Sequence, residues 1–361
     1  MIVFSVSISL SPRRIRWLAL ALFTVISAAL WIGFSADTYF ASDGSFYFAI
    51  ILDNATFTHV SPSRAHAEYL TQWPLVLAVR SGVTDLKALE IFFGLGVWFP
   101  WILSFAISLY ATRERPALIF FFLISMVSLN LSSWCLIYGE HLTLLVLVWP
   151  IFYFGIMRRR LTFLEQLLTA LLLVAHLKLY ETSLVSGVIF TFIFAFRSWL
   201  EKHPRERWGS GLLASLALAS VVIAVTWILF PRDLENRGHF LGAIVASLAH
   251  PYPWIGLSYV SLNMVGIIFS SSRLKLAAWI VPLVIGGISL LSPGIMGGIS
   301  FSTRTLTLTV LPLLMLITFL FSLSRLKLTK ELALSVSLVI VGLSLLYVRH
   351  LQSWVAFKDE F

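Results

Sequence analysis

Two carboxylates, Asp37 and Asp43, follow the first long apolar run of the chain, and Tyr47 stands four residues after the second of them. Basic and imidazole side chains recur at the borders of later apolar runs: Arg64 and His66, the cluster His176-x-Lys178-x-Tyr180-Glu181, and Arg304. Glu140 and His141 form an acid–histidine step at another border; being adjacent, they point to different faces and do not make a metal pair by themselves. A carboxylate at the edge of an apolar phase is partly desolvated, which makes it a stronger base than in water. An arginine or lysine there can neutralise an anion. A base for a hydroxyl and cations for a departing anion are what group transfer to a hydroxyl requires. Asp43 is the first choice for the base and Asp37 the second, and Arg304 is the expected anion contact. Arg64, His66, His176, Lys178, Glu140, His141 and Tyr47 complete the candidate binding set. Simpler readings stand beside these. Asp43-Gly44 is a turn signal, Arg304 can be a snorkelling anchor, and helix-dipole complementarity alone accounts for cations at one helix end with Glu181 opening the next.

The elements that must position these residues are set by composition. Of 361 residues 59% are apolar and 12% charged, against about 45–50% and about 25% in a soluble domain. The 17 acids and 26 bases cannot cover a core of that size, so lipid must solvate most of the surface. The single cysteine, Cys135, excludes a disulfide framework and any metal site with two thiolates from one chain. Runs long enough to cross about 30 Å of hydrocarbon predict about eleven spans, at 15–34, 88–110, 117–136, 142–157, 163–179, 182–199, 209–230, 254–271, 274–292, 304–323 and 332–348. The expected fold is all-α and polytopic, one integral membrane domain over 1–361. The first run is too long for a signal-peptide core and no small-x-small site closes it, so it reads as a retained span.

Charge gives the orientation. With the N-terminus cytoplasmic, 17 of the 26 bases fall inside, among them Arg13, Arg14, Arg16, Arg113, Arg115, Arg160, Arg197, Lys202, Arg205 and Arg207, while only five of the 17 acids do. The positive-inside rule favours that topology. The net charge of +9 is therefore topological, and nucleic acid is not an expected partner. Seven of the eight histidines fall on the outer side, where the sizeable loops also lie, at 35–87 and 231–253. In the first loop the segments opening at Asp43 and at Arg64 are too short to span and read as interfacial helices, the second broken or kinked at Pro74. The second loop, 231–253, reads as an aromatic-belt anchor or a lid. No phosphate-binding glycine loop, His-Glu-x-x-His or Gly-x-Ser-x-Gly occurs, which disfavours ATP-driven motors and membrane hydrolases.

The opening of the chain resembles GT-C-fold glycosyltransferases: a first span, Asp43-x-x-x-Tyr47 beyond it, short helices, then Gln72-Trp73-Pro74-Leu75 before the second span. Gly139-Glu140-His141 and Ser302-Thr303-Arg304 are similar to further features of that family. The resemblance covers mainly residues 30–110. It implies an enzyme that takes sugar from a polyprenyl-phosphate donor at the periplasmic or extracellular face of the inner or plasma membrane and passes it to a glycan, lipid or protein acceptor. No organic cofactor is implied, and a divalent cation and the oligomeric state stay open. The chain departs from the family in lacking an Asp-Glu pair and a soluble C-terminal domain. The rival readings are an O-antigen-type polymerase or ligase, a transporter or lipid flippase, and a non-catalytic assembly subunit.

Overall fold

The computed structural model describes residues 10–35, 43–59, 64–127, 140–157, 160–180 and 183–230, together with 311–312, 314–319, 321–322, 333–334, 336–338, 340–345 and 347–348. Every regular element among them is helical: α1 (Pro12–Ser35), α2 (Asp43–Asn54), α3 (Ala65–Arg80), α4 (Leu86–Ala111), α5 (Ile119–Ser125) after a 3-10 turn at Pro116–Leu118, α6 (Glu140–Met157), α7 (Phe163–His176), α8 (Ser183–Leu200) and α9 (Pro204–Leu229). Among the described residues four helices, α1, α4, α8 and α9, are long and apolar enough to cross a membrane. The expected spans 15–34, 88–110, 142–157, 163–179, 182–199 and 209–230 coincide with helices, and 117–136 does so through Ser125. The expected spans 254–271 and 274–292 and the loop 231–253 lie outside the described residues.

Local chemistry sets several helix starts. Thr162 and Glu165 form a capping box, Thr162 Oγ1 accepting the Glu165 amide at 3.3 Å and Glu165 Oε2 the Thr162 amide at 2.9 Å. Asp85 caps α4 by accepting the Lys87 amide at 3.0 Å. Pro204 opens α9, where its missing N–H costs nothing.

The chain separates into two compact units, Met1–Ala224 with Phe321–Phe361, and Val225–Leu320. In the first, α1 and α4 run antiparallel in a fixed register. Arg16 Nη2 donates to Arg113 O at 2.8 Å, Phe23 stacks on Phe105 at 3.9 Å, Trp31 meets Trp98 edge-on at 5.8 Å, and Phe34 lies against Gly94. α6 is the central helix. Residues 143–155 are all buried, and α4, α7 and α8 surround it; a helix apolar on every side can only be stable so enclosed. Bases read as lying on one side do meet at one end. Arg113 stacks over Tyr110, Arg160 pairs with Glu206 at 3.4 Å, Arg115 donates to Ser322 O, and Arg197 Nη1 donates to Gly155 O at 2.9 Å. In the second unit the described pieces are 225–230 and parts of a late helix, in which Thr318 Oγ1 donates to Leu314 O at 2.6 Å.

The first loop differs from expectation in three ways. α2 begins at Asp43 itself, so Asp43-Gly44 is a first helical turn and not a separate turn. α3 runs unbroken through Pro74, which is buried. And α3 is not laid out on a surface: Ala67, Glu68, Thr71, Gln72, Leu75 and Val76, one continuous helical face, are all 6% exposed or less. Gly96 is the reason it packs so closely, since a Cβ there would lie 1.6 Å from Thr71 O. Where α3 ends and α4 begins, Tyr47, Phe48, Ile51, Leu75, Val76, Ala78, Leu89 and Phe93 form a local apolar core.

Candidate functional site

α7 is short. Its first turn is tied to the basic end of α4 by Tyr110 Oη, which donates to Glu165 Oε1 at 3.2 Å. From Glu165 the helix rises about 16 Å to His176, whereas α4 continues about 36 Å from Tyr110 to Leu86. The last turn of α7 therefore lies well away from the basic end of α4, and the start of α3 meets it there.

The meeting is made by main-chain acceptors. The last carbonyls of a helix are short of partners within it; Val174 O accepts the Leu177 amide, and His66 supplies further donors here. Its Nδ1 lies 2.8 Å from Val174 O and 3.2 Å from Ala175 O, and its backbone N–H donates to Lys178 O at 3.1 Å. Two residues earlier, the Arg64 guanidinium lies over the Tyr180 ring, 4.9 Å from its centroid, a cation–π contact that holds the charge near the turn. Lys178 and Arg64 are both half-buried. Three of the cationic or imidazole residues in the candidate set, Arg64, His66 and Lys178, are thus gathered at one helix junction.

Behind that junction His176 is fully buried between α7 and α8, with its ring edge against Phe190. Ser186 Oγ donates its one proton to Ser183 O at 3.3 Å, so His176 Nε2, 2.8 Å from Ser186 Oγ, is the donor in that pair. His176 Nδ1 has no partner among the described residues. This histidine supports the junction from beneath and does not line its outer side.

On the other side of α3 stands a constellation that sequence reading missed. His59 Nδ1 lies 2.8 Å from Glu68 Oε2, with the carboxylate side chain 2% exposed and the imidazole 37% exposed. Gln72 clamps the preceding residue: its Oε1 accepts the Thr58 amide at 2.8 Å and its Nε2 donates to Thr58 O at 3.1 Å. Tyr69 is wedged between Phe57 and His59, edge-on to each at 4.8 Å. The available signal was the polar run Glu68, Thr71, Gln72 on one face of a helix in an otherwise apolar chain.

No protein family, curated protein or solved structure matches the chain. What the junction can do therefore rests on its own geometry.

The remaining candidates are placed as follows. Tyr47 is 3% exposed and packs in the local core of α2, α3 and α4, which makes it a structural aromatic there. Asp43 is the first residue of α2, and Glu140 and His141 are the first two of α6; their side chains lie outside the described residues, as do Asp37 and Arg304 entirely. Among the described residues no three His, Cys, Asp or Glu side chains group as metal ligands. The junction as described holds the Arg64 guanidinium over the Tyr180 ring, and the other side of α3 holds a buried carboxylate against an imidazole. A cation beside an aromatic ring suits an anionic, partly apolar ligand.

Proposed function

We propose that this chain is a membrane glycosyltransferase of the GT-C type. In this reading about eleven helices span the inner or plasma membrane as a single integral domain, with the N-terminus and the basic end of the bundle cytoplasmic. The enzyme takes a sugar from a polyprenyl-phosphate donor at the periplasmic or extracellular face and passes it to a glycan, lipid or protein acceptor. The observation that carries the reading is the Arg64 guanidinium held over Tyr180 where His66, at the start of α3, bonds the end of α7 and the Lys178 carbonyl, at the opposite end of α7 from the arginine-rich end. A donor phosphate that leaves with two negative charges needs cations fixed in place before the bond breaks, and a helix junction of low polarity makes their attraction stronger than water would. Positive charge on this side runs against the positive-inside rule, which supports a functional reason for it. Asp43 and Asp37 are the carboxylates that the sequence offers as base.

Mass spectrometry of lipid-linked and envelope glycans tests the proposal in cells that lack the chain, carry the wild type, or carry Arg64→Ala with Lys178→Ala at matched membrane levels. One sugar mass disappears in the deletion and in the double variant while its lipid-linked donor accumulates. Unchanged glycans in the deletion strain would remove the transferase reading.

A further inference from the structure

Transfer to a hydroxyl needs a group that accepts the hydroxyl proton as the new bond forms, and a good one is oriented by a second residue. The described residues hold one such arrangement. An ionised carboxylate only accepts, so His59 Nδ1 carries a hydrogen and donates it to Glu68 Oε2 at 2.8 Å. In the neutral ring this leaves the lone pair on Nε2, which has no partner among the described residues. The carboxylate is almost completely buried and the imidazole is 37% exposed, so the orienting half is fixed in the fold and the reactive half is reachable. The backbone that presents the ring is fixed as well, by the double Gln72–Thr58 clamp on one side and the Tyr69 ring on the other.

Resting on the transferase reading, we infer that His59 is the general base for the acceptor, a molecule with a free hydroxyl, and that Glu68 is its positioning residue. His59 Nε2 takes the hydroxyl proton; the oxygen's electron pair forms the bond to the anomeric carbon. The bond from that carbon to the donor phosphate oxygen breaks, and its electron pair leaves with the phosphate. The imidazolium that results lies against the Glu68 carboxylate, which stabilises it, and later gives the proton to water. His66 also has Nδ1 tied, but to neutral carbonyls, which stabilise an imidazolium less. His176 is fully buried and cannot reach an acceptor. Arg64 precedes Glu68 by four residues, so the base and the Arg64 guanidinium share one end of one element.

The test uses the full-length chain in the same cells, reading envelope sugar mass against the accumulated lipid-linked donor. His59→Asn keeps a donor where Nδ1 was, and so keeps the bond to Glu68, while removing the base. It lowers transfer by about 100-fold or more, at unchanged membrane level and melting temperature. His59→Ala does the same, and added imidazole restores transfer in proportion to its concentration. Glu68→Gln lowers transfer and Glu68→Asp recovers part of it. A purely structural pair predicts near wild-type transfer in His59→Asn and no imidazole rescue. Transfer above half of wild type in His59→Asn, with glycans still lost in the deletion strain, overturns the role of His59 and leaves the transferase reading standing. Loss of transfer in Asp43→Asn or Asp37→Asn with His59→Asn active assigns the base to that carboxylate instead. Unchanged glycans in the deletion strain overturn both.

Discussion

His66 Nδ1 stands 2.8 Å from Val174 O, joining the first turn of α3 to the last turn of α7 across 108 positions of sequence. A carbonyl only accepts, so Nδ1 carries the hydrogen. His66→Ala removes this donor from the Val174 carbonyl, which also accepts the Leu177 amide at 3.2 Å, and lowers unfolding free energy by about 1 kcal/mol. His66→Asn, whose amide nitrogen can occupy the Nδ1 position, recovers at least half of that. Unfolding by detergent titration of the purified protein measures both, and equal losses in the two variants would argue against the bond.

Gly94 and Gly96 make a sharper comparison, because they lie one turn-half apart on α4 and face different obstacles. A Cβ at Gly96 meets Thr71 O of the α3 backbone at 1.6 Å, whereas at Gly94 it meets the Phe34 ring at 1.5 Å. A ring can rotate; a helix backbone must move as a body. Gly96→Ala therefore destabilises by about 1–3 kcal/mol or more and separates α3 from α4. Gly94→Ala costs less. Thermal unfolding in detergent ranks them, and the reverse order would mean that α3 does not pack against α4 in this register.

Much of the helical layout was legible in the sequence because hydropathy acts locally. The starts of α1, α4, α6, α7, α8 and α9 fall within five residues of the expected spans, and Arg16, Arg113, Arg160 and Arg197 meet at one end as the charge asymmetry implies. What was not legible depends on distant backbone. Pro74 read as a break or a kink, yet α3 continues through it from Ala65 to Arg80. The polar face of α3 read as interfacial, since nothing local announces that Gly96 lets it pack inward. His59 and Glu68 are nine residues apart, and Gln72 holds Thr58, the residue before His59, against the helix. Arg64 and His66 were named as candidates, but their union with Lys178 and Tyr180 is a tertiary fact.

Glu165 shows how the basic end is locked. Its Oε1 accepts from Tyr110 Oη at 3.2 Å and its Oε2 from the Thr162 amide at 2.9 Å, with the side chain 2% exposed. Glutamine offers one acceptor oxygen in place of two, so Glu165→Gln removes one of these part-buried bonds and costs about 1 kcal/mol. Tyr110→Phe removes only the other partner and costs about 1 kcal/mol. In a double-mutant cycle the two couple by at least about 0.5 kcal/mol. Additive losses would mean the hydrogen bond is not made.

Gln72 has no route to water, being 0% exposed, and both ends of its amide are spent on the backbone of Thr58. Gln72→Met keeps the volume of the side chain and removes both bonds, leaving a buried N–H and a buried carbonyl without partners. Each costs about 1–3 kcal/mol if the segment stays in place; the cheaper response is for residues 55–59 to detach and find water. The expected result is faster hydrogen exchange at the Thr58 amide, with protection in α4 and α6 unchanged. Because His59 follows directly, the same variant releases the imidazole from Glu68 and, on the proposed role of His59, lowers transfer even though neither partner is altered. Exchange at Thr58 that stays as slow as in the wild type would show that the clamp does not hold this segment, and that His59 is positioned by Glu68 and Tyr69 alone.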